Sequence, residues 1–593
     1  MKNLLLFVSL ICIVLSCKEN KISGELALKK WSINKIDSVI ISLQKLDSQL
    51  VRQTSQDSLK SNFNLARTQF KHVESIIEYY FQGLTKRING PALPDIKVED
   101  GQVWPPHGFQ VIEQLVYEDP SKVETDLIQN ELQLLITDLN FIKSNLSETS
   151  ILPRHVAELL QQELIRITSL GITGFDSPIA FQSIHEAYQA LEGMRQICDI
   201  YYGSSALSQT FKTAFASTLQ FDGFKQNFDD FDRLAFIKSS LIPLSIELSR
   251  LYNHTAEDSA IATPISRVYA DWAKGKGFNP DFYVNYEVGK YSLAKQQLGA
   301  RLFSDKQLSK TKNISCATCH QSSKYFTDGE IKATNFIHGG TLSRNSPTLL
   351  YAALQSNQFY DMRSVSLEDQ IFDVMHNESE FNLSPEVVFQ HIKKDSAYIA
   401  LFKKAYPEKD SLGSYDIRNA IATYVRSLSP FSSRLDQEIS SNKKILTDQE
   451  LKGFNIFMGK GKCGTCHFFP LFNGTVPPFY SKSESEIIGV PSAAQWSAAK
   501  IDPDLGRYGI HKLEELKYSF KTPTVRNAEH TAPYMHNGVY NSLAEVIRFY
   551  EVGGAKGIGI SLPNQTLPFD NLKLNSEEKE ALIAFIKTLS DNK

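Results

Sequence analysis

The stretches CATCH at residues 316–320 and CGTCH at residues 463–467 are two copies of the pattern C-x-x-C-H, and they decide the fold of the second half of the chain. In this pattern both thiols add covalently to the vinyl groups of a haem, and the histidine that follows becomes a ligand of the iron. The alternative is a pair of structural zinc half-sites. We predict two covalently bound c-type haems, held by Cys316, Cys319, His320, Cys463, Cys466 and His467.

The first residues of the chain have the pattern of an export signal. Lys2 precedes an apolar run at 4–15 that is short for a membrane span. The following Ser16-Cys17 looks like the end of a lipobox, so we predict a lipoprotein signal peptide at 1–17 with Cys17 lipidated. An ordinary signal peptide that contains a cysteine is the alternative. Haem is attached to this motif outside the cytoplasm, so we expect a periplasmic lipoprotein. Cys198 is expected to be a buried helix residue.

Length and charge exclude some functions. The chain has 593 residues, enough for about three to four domains. Its 63 Lys and Arg residues against 66 Asp and Glu residues give no basic excess, so nucleic-acid binding has no electrostatic support. Beyond the signal no apolar stretch is long enough to span a bilayer, and we expect membrane attachment by the lipid anchor only.

The N-terminal half, residues 22–251, has apolar residues at three- and four-residue spacing and is predicted to be a helical bundle. Its segment GFQVIE at 108–113 is similar to the G-x-H-x-x-E segment of imelysin-like helical bundles of exported iron-related proteins. Gln110 stands where that family has histidine, which puts a metal site there in doubt. The alternative is a helical partner or docking module. Residues 252–284 are mixed and polar and are predicted to be a linker.

The C-terminal half contains an internal repeat. Each C-x-x-C-H follows a helix with Leu and Phe, at 298–303 and at 451–458, and each unit closes with an amphipathic helix, at 418–428 and at 580–589. Asn575 with Glu578 is a suitable start for the last helix. We therefore predict a mainly α protein, in which the N-terminal helical bundle is followed by two fused cytochrome c-type haem domains, at 285–435 and 436–593.

Several ordered motifs give this half a specific resemblance. They are LGARLFSD at 298–305, RNSPT at 344–348, QFYDMR at 358–363, LEDQ at 367–370, FKTPTVRN at 520–527 and TAPYMHNG at 531–538. Together with the two haem motifs, they resemble the bacterial di-haem cytochrome c peroxidase family, which includes the methylamine-utilisation enzyme MauG. The resemblance covers residues 285–593.

The resemblance implies a role for the first haem, at which the family reduces peroxide. Gln370 and Glu380 match the distal polar pair at the family's ten-residue interval, with Glu380 as proton shuttle and Gln370 orienting peroxide or water. Glu378 is the alternative acid. His338 lies where peroxidases of the family carry the removable sixth ligand of the resting iron, whereas MauG-like members keep this iron five-coordinate.

The second haem is expected to store or relay the other oxidising equivalent. Its distal ligand is Tyr550, as in MauG-like members, or Met535, the only methionine after the second motif. Tyr360 matches the position of the family's relay tryptophan, and none of the four tryptophans lies between the two motifs. Asn345, Thr531 and Pro533 match the family's inter-haem calcium site, which implies one Ca²⁺.

Three functions follow from this resemblance. The first is an oxidoreductase of the cytochrome-c peroxidase type, which reduces hydrogen peroxide to water with electrons from a small redox partner, a cytochrome c or a cupredoxin. The second is a MauG-like di-haem oxidase that uses high-valent iron to oxidise side chains of a partner protein. The third is an electron-transfer or haem-sensing lipoprotein without turnover. Gln370 and Glu380 argue against the third, because a pure relay needs no distal acid.

Overall fold

The computed structural model describes residues 23–118, 124–204, 207–253, 263–266, 268–284, 289–568 and 570–592. The predicted signal peptide and Cys17 lie outside these residues. Within them the protein is mainly helical, as expected. In this part of the chain, no helix combines the length and the hydrophobicity that crossing a bilayer requires.

The N-terminal half is a bundle of helices, with one short hairpin of two antiparallel strands. Three of its helices continue into single turns of π-helix, at Ile167–Gly171, Asp199–Gly203 and Ile237–Leu241. The helices are α1 (Gly24–Val51), α2 (Gln56–Tyr80), α3 (Gln82–Asn89), α4 (Phe109–Tyr117), α5 (Thr125–Glu148), α6 (Pro153–Arg166), α7 (Ser183–Cys198), α8 (Gln209–Leu219), α9 (Arg233–Phe236), α10 (Ile242–Asn253) and α11 (Tyr269–Ala273), and the strands are β1 (Asp95–Lys97) and β2 (Gln102–Trp104).

Local sequence explains the long helices of the bundle. The side chains of Ser23 and Ser55 accept hydrogen bonds from backbone amides in the first turns of α1 and α2. Along α1, Ile36, Leu43 and other apolar residues at helical spacing are fully buried against α2 and α5. Cys198, at the end of α7, is fully buried, which confirms the expectation for this residue.

The C-terminal half has shorter helices separated by long irregular segments. The helices are α12 (Leu293–Phe303), α13 (Cys316–Cys319), α14 (Leu367–His376), α15 (Pro385–Ile392), α16 (Ser396–Ala405), α17 (Ser414–Arg426), α18 (Arg434–Ser440), α19 (Asp448–Phe457), α20 (Tyr508–His511), α21 (Leu543–Glu551) and α22 (Ser576–Lys587). Single 3₁₀ turns lie at Lys306–Leu308, Ser322–Lys324, Ala352–Leu354, Cys463–Thr465, Glu514–Leu516, Ala528–His530 and Lys556–Ile558, and the N-terminal half has one at Asp222–Lys225. The antiparallel strands β3 (Ser485–Glu486) and β4 (Phe520–Lys521) join two of the irregular segments.

The internal repeat is confirmed by two equivalent helix pairs. α12 packs on α17 in the first haem domain, and α19 packs on α22 in the second. At each crossing a glycine allows the backbones to touch: a Cβ on Gly299 would lie 1.9 Å from the carbonyl oxygen of Ala420, and a Cβ on Gly453 would lie 1.9 Å from that of Ala581. Asn575 caps α22 with Glu578 in a reciprocal capping box, as predicted.

One hydrophobic core joins the bundle to the C-terminal half and takes in Leu350, Tyr351 and Leu354 as well as buried residues between 435 and 589. A second core lies within residues 298–425, and a third, smaller core lies within residues 499–560. At the shared boundary, the ring of Phe175 meets that of Phe468, and Trp272 packs on Phe469. Trp272 lies in α11, within the predicted linker, and is fully buried. The described part of that segment is therefore packed into the core. The bundle covers the chain next to the second haem motif.

Candidate functional site

The first haem motif forms α13 and the residue that follows it. Ser315 precedes the helix, and its backbone amide donates to the hydroxyl of Thr318 at 2.9 Å, which fixes the turn that presents Cys316 and Cys319. His320 donates a hydrogen bond from Nδ1 to the carbonyl oxygen of Phe326 at 3.0 Å. Burial lowers the pKa of His320. A neutral ring whose Nδ1 proton is held by a carbonyl has Nε2 free as a metal ligand.

The second haem motif repeats this arrangement with different local structure. Lys462 takes a left-handed conformation with φ of 55°, and a 3₁₀ turn over Cys463–Thr465 follows it. The Nδ1 of His467 lies 3.0 Å from the carbonyl oxygen of Pro523 and donates to it. Burial lowers the pKa of His467 to about 4. Both histidines are therefore held as neutral rings with Nε2 available.

Both motifs open into one continuous cavity of about 800 Å³. This volume lies at the upper end of the range for buried cofactor sites. All four motif cysteines and both histidines line its wall, together with many aliphatic side chains from α14, α17, α21 and α22. The thiols, the oriented histidines and the apolar wall fit two covalently attached haems.

The predicted distal polar pair of the first haem lies on this wall. Gln370, on α14, and Glu380, in the turn after it, both line the cavity. Asn377 donates a hydrogen bond from Nδ2 to Oε2 of Glu380 at 2.8 Å. Burial raises the pKa of Glu380, although the bond from Asn377 opposes this. Glu378, the alternative acid, is exposed and is not among the described residues that line the cavity.

Both candidates for the second distal ligand line the cavity. Tyr550, on α21, lies near Cys463 and Cys466, whereas the carbonyl oxygen of Met535 accepts a hydrogen bond from Asn345. Burial raises the pKa of Tyr550, and the nearby thiols add to this effect. Among the described residues its hydroxyl has no hydrogen-bond partner. The fold brings both residues to the cavity wall, and the choice between them stays a prediction.

The residues predicted between the two haems form one hydrogen-bonded group. The hydroxyl of Tyr360 donates to Oδ1 of Asn345 at 2.7 Å. The Nδ2 of Asn345 donates to the carbonyl oxygens of Pro533 at 3.1 Å and of Met535 at 2.8 Å. Thr531 also lines the cavity. Asn345 and Pro533 thus lie together, with Oδ1 of Asn345 and the carbonyl oxygen of Pro533 engaged in hydrogen bonds within the chain, and the calcium ion stays a prediction.

His338 is the predicted site residue that the fold does not bring to this cavity. It lies in an exposed turn, in which its backbone amide donates to Oδ1 of Asn335 at 2.9 Å. Asn335 and Phe336 line the cavity, whereas His338 is not among its described lining residues. As a sixth ligand of the first iron, His338 would require this turn to refold, so that role stays a prediction.

Sequence reasoning missed two groups at the site. Arg344 joins the two haem domains by pairing with Asp361 at 2.7 Å and with Asp504 at 2.7 Å. Glu486, on β3, lines the second end of the cavity next to Cys466. Arg344 lies within the RNSPT stretch that contributes to the family resemblance, so the sequence contained a signal that could have identified it as a site residue. Glu486 has no local signal, because only the pairing of β3 with β4 carries it to the cavity.

Gln110 and Glu113 of the imelysin-like segment make hydrogen bonds within the bundle. The side-chain amide of Gln110 donates to the carbonyl oxygen of Asn89 at 3.0 Å. Glu113 accepts from the hydroxyl of Ser177 and the amide of Ala180, each at 2.8 Å. In the described parts of the chain, no group of three or more His, Cys, Asp or Glu side chains is arranged to hold a metal ion. The N-terminal half has no family assignment, so the imelysin-like fold stays a prediction.

Comparison with known proteins concerns the C-terminal half. A family model described as "Di-haem cytochrome c peroxidase" matches residues 293–444. The chain is 31% identical over 318 residues to the methylamine utilization protein MauG of Methylorubrum extorquens, an alignment that covers 53% of this chain and 84% of that protein. It is 29% identical over 308 residues to cytochrome-c peroxidase IdrP2 of Denitromonas iodatirespirans, which covers 50% of this chain and 81% of that protein.

One solved structure aligns with about half of the chain. A MauG-like protein associated with microbial copper homeostasis aligns with 25% identity and a TM-score of 0.46, over 56% of this chain and 95% of that protein. The same family is indicated by the two haem motifs, by the cavity that joins them and by the extent of the MauG alignment. Over its C-terminal half, the chain belongs to the di-haem cytochrome c peroxidase family that includes MauG, a family of haem-dependent oxidoreductases.

Proposed function

We propose that this protein is a di-haem peroxidase that reduces hydrogen peroxide to water with electrons from a small redox protein. One observation carries the proposal: Gln370 and Glu380 face the same cavity as His320 and both haem motifs. A protein that only relays electrons has no use for a buried carboxyl and an amide beside its haem. A peroxidase needs both, because the two oxygen atoms of peroxide must be oriented and must exchange a proton.

The chemistry of peroxide reduction gives Glu380 and Gln370 different roles. The first haem, when bound, supplies an iron at which the O–O bond of peroxide is cleaved. Glu380 takes the proton from the oxygen nearer to His320 and gives it to the far oxygen, which leaves as water. Gln370 holds the peroxide by hydrogen bonds. Overall, one hydrogen peroxide, two protons and two electrons give two waters, and both electrons come from the redox partner.

Tyr360 has a distinct role in this proposal. Its hydroxyl donates to the amide oxygen of Asn345, which is not a base, and burial raises its pKa. Full oxidation of a tyrosine releases its proton, and here no carboxylate accepts that proton from the hydroxyl. We therefore assign Tyr360 to bridging the two haems electronically, with no proton transfer of its own.

A spectroscopic experiment tests the proposal. The diferric protein is examined by EPR and near-infrared absorption before and after one equivalent of hydrogen peroxide, and again after one-electron reduction. A peroxidase that needs an electron stored on its second haem reacts only after this reduction. A protein that fails to react with peroxide in either state would contradict an enzymatic role.

The second candidate function is a MauG-like oxidase that acts on side chains of a partner protein. The observation that favours it is Tyr550 at the second end of the cavity, since an oxygen ligand favours more oxidised iron than methionine does. In this case the diferric protein reacts directly with one equivalent of peroxide, and both ferric EPR signals disappear together.

We further propose that the protein is exported and tethered by a lipid on Cys17. The support is the N-terminal sequence pattern together with haem attachment, which takes place outside the cytoplasm. Labelling with a radioactive fatty acid tests this, because Cys17→Ser removes the acceptor. A calcium ion near Asn345, Thr531 and Pro533 is also proposed, and metal analysis of the purified holoprotein tests it.

A further inference from the structure

The second end of the cavity has a predominantly aliphatic wall with a carboxyl group set into it. The described lining residues there include Ile488, Val490, Val546, Ile547, Leu567 and Leu572. Glu486 interrupts this wall from strand β3, whose register with β4 sets Glu486 opposite Phe520. The hydroxyl of Thr566 donates to Oε2 of Glu486 and fixes the carboxyl group.

Glu486 lies beside the edge at which the second haem is attached. Glu486 and Cys466 line the same cavity, and the charge of Glu486 is near enough to the sulfur to raise the pKa of the Cys466 thiol. Cys466 binds the porphyrin through its side chain and is not a ligand of the iron. A charge on Glu486 would therefore lie on the part of the cavity wall where Cys466 would hold the haem.

Several charged or titratable groups surround Glu486. Glu484 lies two residues earlier in the chain, Cys466 comes from the haem motif and Tyr550 from α21. Lys86, on α3 of the N-terminal bundle, pairs with Glu484 at 3.8 Å and with Asp95 at 3.1 Å. Burial raises the pKa of Glu486 to about 7, although the bond from Thr566 opposes this. The carboxyl group therefore changes charge near neutral pH.

We propose that Glu486 controls the reduction potential of the second haem by holding a carboxylate at its Cys466 edge. A negative charge stabilises the ferric haem relative to the ferrous haem, because the ferric form carries one more positive charge. In a medium of low dielectric constant this effect is large. The inference rests on the proposed function only in requiring a haem at Cys463 and Cys466.

The charge on Glu486 also couples proton uptake to reduction of the second haem. When the small redox protein gives one electron to the second haem, the ferric haem becomes ferrous and the carboxylate of Glu486 takes up one proton from solvent. When the electron passes on to the first haem, that proton returns to solvent. In each half of the cycle, the charge of the electron on the haem is balanced by the charge of the proton on Glu486. Because reduction takes up a proton, the reduction potential of the second haem falls as pH rises through neutrality.

The test is a spectroelectrochemical titration of the full-length di-haem protein and of Glu486→Gln, at several pH values from 6 to 9. At the alkaline end the variant is expected to have a higher potential at its second haem. The equilibrium constant for electron exchange between the second haem and a one-electron mediator is expected to change at least tenfold. This change corresponds to a shift of about 59 mV in the reduction potential. Its potential should also lose the pH dependence. The first haem is the internal control, and Glu378→Gln, an exposed carboxyl away from the cavity, is the matched variant.

A second variant guards against a loss of folding in the first. Thr566→Val removes the hydroxyl that stabilises the carboxylate, so the pH at which the potential changes should move upwards. Unchanged potential and pH dependence of the second haem in both variants, with both haems attached, would overturn the inference while leaving the proposed function intact. A wild-type protein whose pyridine haemochrome spectrum shows no second haem would contradict the proposed function itself.

Discussion

The sharpest prediction concerns Glu380→Gln. The substitution keeps the length and shape of the side chain, and the glutamine carbonyl oxygen still accepts the hydrogen bond that Asn377 now donates to Glu380 at 2.8 Å. Packing at the cavity wall should therefore change little. What disappears is the group that accepts a proton from peroxide, and burial has raised the pKa of that group towards the range that suits a base.

The magnitude follows from the single role assigned to this carboxyl. A positioned general acid–base group typically contributes a factor of about 10² to 10⁴ in rate, which corresponds to about 3 to 5 kcal/mol in the activation barrier. We expect a loss of this size in the second-order rate constant for reaction with hydrogen peroxide. Haem attachment and the absorption spectrum of the resting protein should stay as in the wild type.

Stopped-flow absorption measures this rate constant directly, with the reduced haem content matched between variants. Glu378→Gln is the matched control, because this neighbouring carboxyl is exposed and its loss should change the barrier by less than about 0.5 kcal/mol. If Glu380→Gln reacts with peroxide as fast as the wild type, the assignment is wrong. If Glu378→Gln is instead the slow variant, the turn that carries both residues takes a different conformation in the enzyme.

Three further predictions follow from the same geometry. The rate of reaction with peroxide should fall as pH is lowered through the raised pKa of Glu380, because the protonated acid cannot accept a proton; a flat pH profile in stopped-flow measurements would argue against this base. Arg526→Met leaves Asp436 buried without its bidentate partner at 2.8 and 2.9 Å, and should lower the free energy of unfolding by about 3 to 5 kcal/mol in denaturant titrations. Most of this loss should be recovered when Asp436 is also replaced by leucine. Tyr550→Phe should alter the ferric EPR signal assigned to the second haem with both haems still attached, whereas an unchanged signal would favour Met535.

Much of the candidate site could be predicted because its chemistry is encoded in short stretches. The C-x-x-C-H spacing brings two thiols and a histidine to one turn whatever surrounds it, and the capping box at Asn575 is a local feature of the same kind. Gln370 and Glu380 lie on one helix and the turn that follows it, so a fixed interval in sequence carries them to the same wall. Their roles were open to prediction only through the resemblance to a family.

Long-range contacts were beyond the reach of the sequence. His338 matches a ligand position of the family, and only the folded chain shows that the turn that contains it is exposed. Glu486 had no signal at all, because the pairing of two-residue strands decides where it lies. The segment before the first haem domain has a polar composition, and yet Trp272 within it is fully buried against Phe469.

The sequence by itself determined that the chain carries two haem-attachment motifs, that its fold is mainly helical, and that its C-terminal half contains a repeated pattern of helices. These properties depend on spacing within a few turns of chain, which local stereochemistry fixes. The tertiary structure alone decided that the bundle shares a core with the second haem domain, that both haem motifs open into one cavity, and that a carboxyl group from β3 faces its second end. The reason is physical: apolar burial is not directional, so the pattern of a helix shows that one face is buried but not which partner buries it.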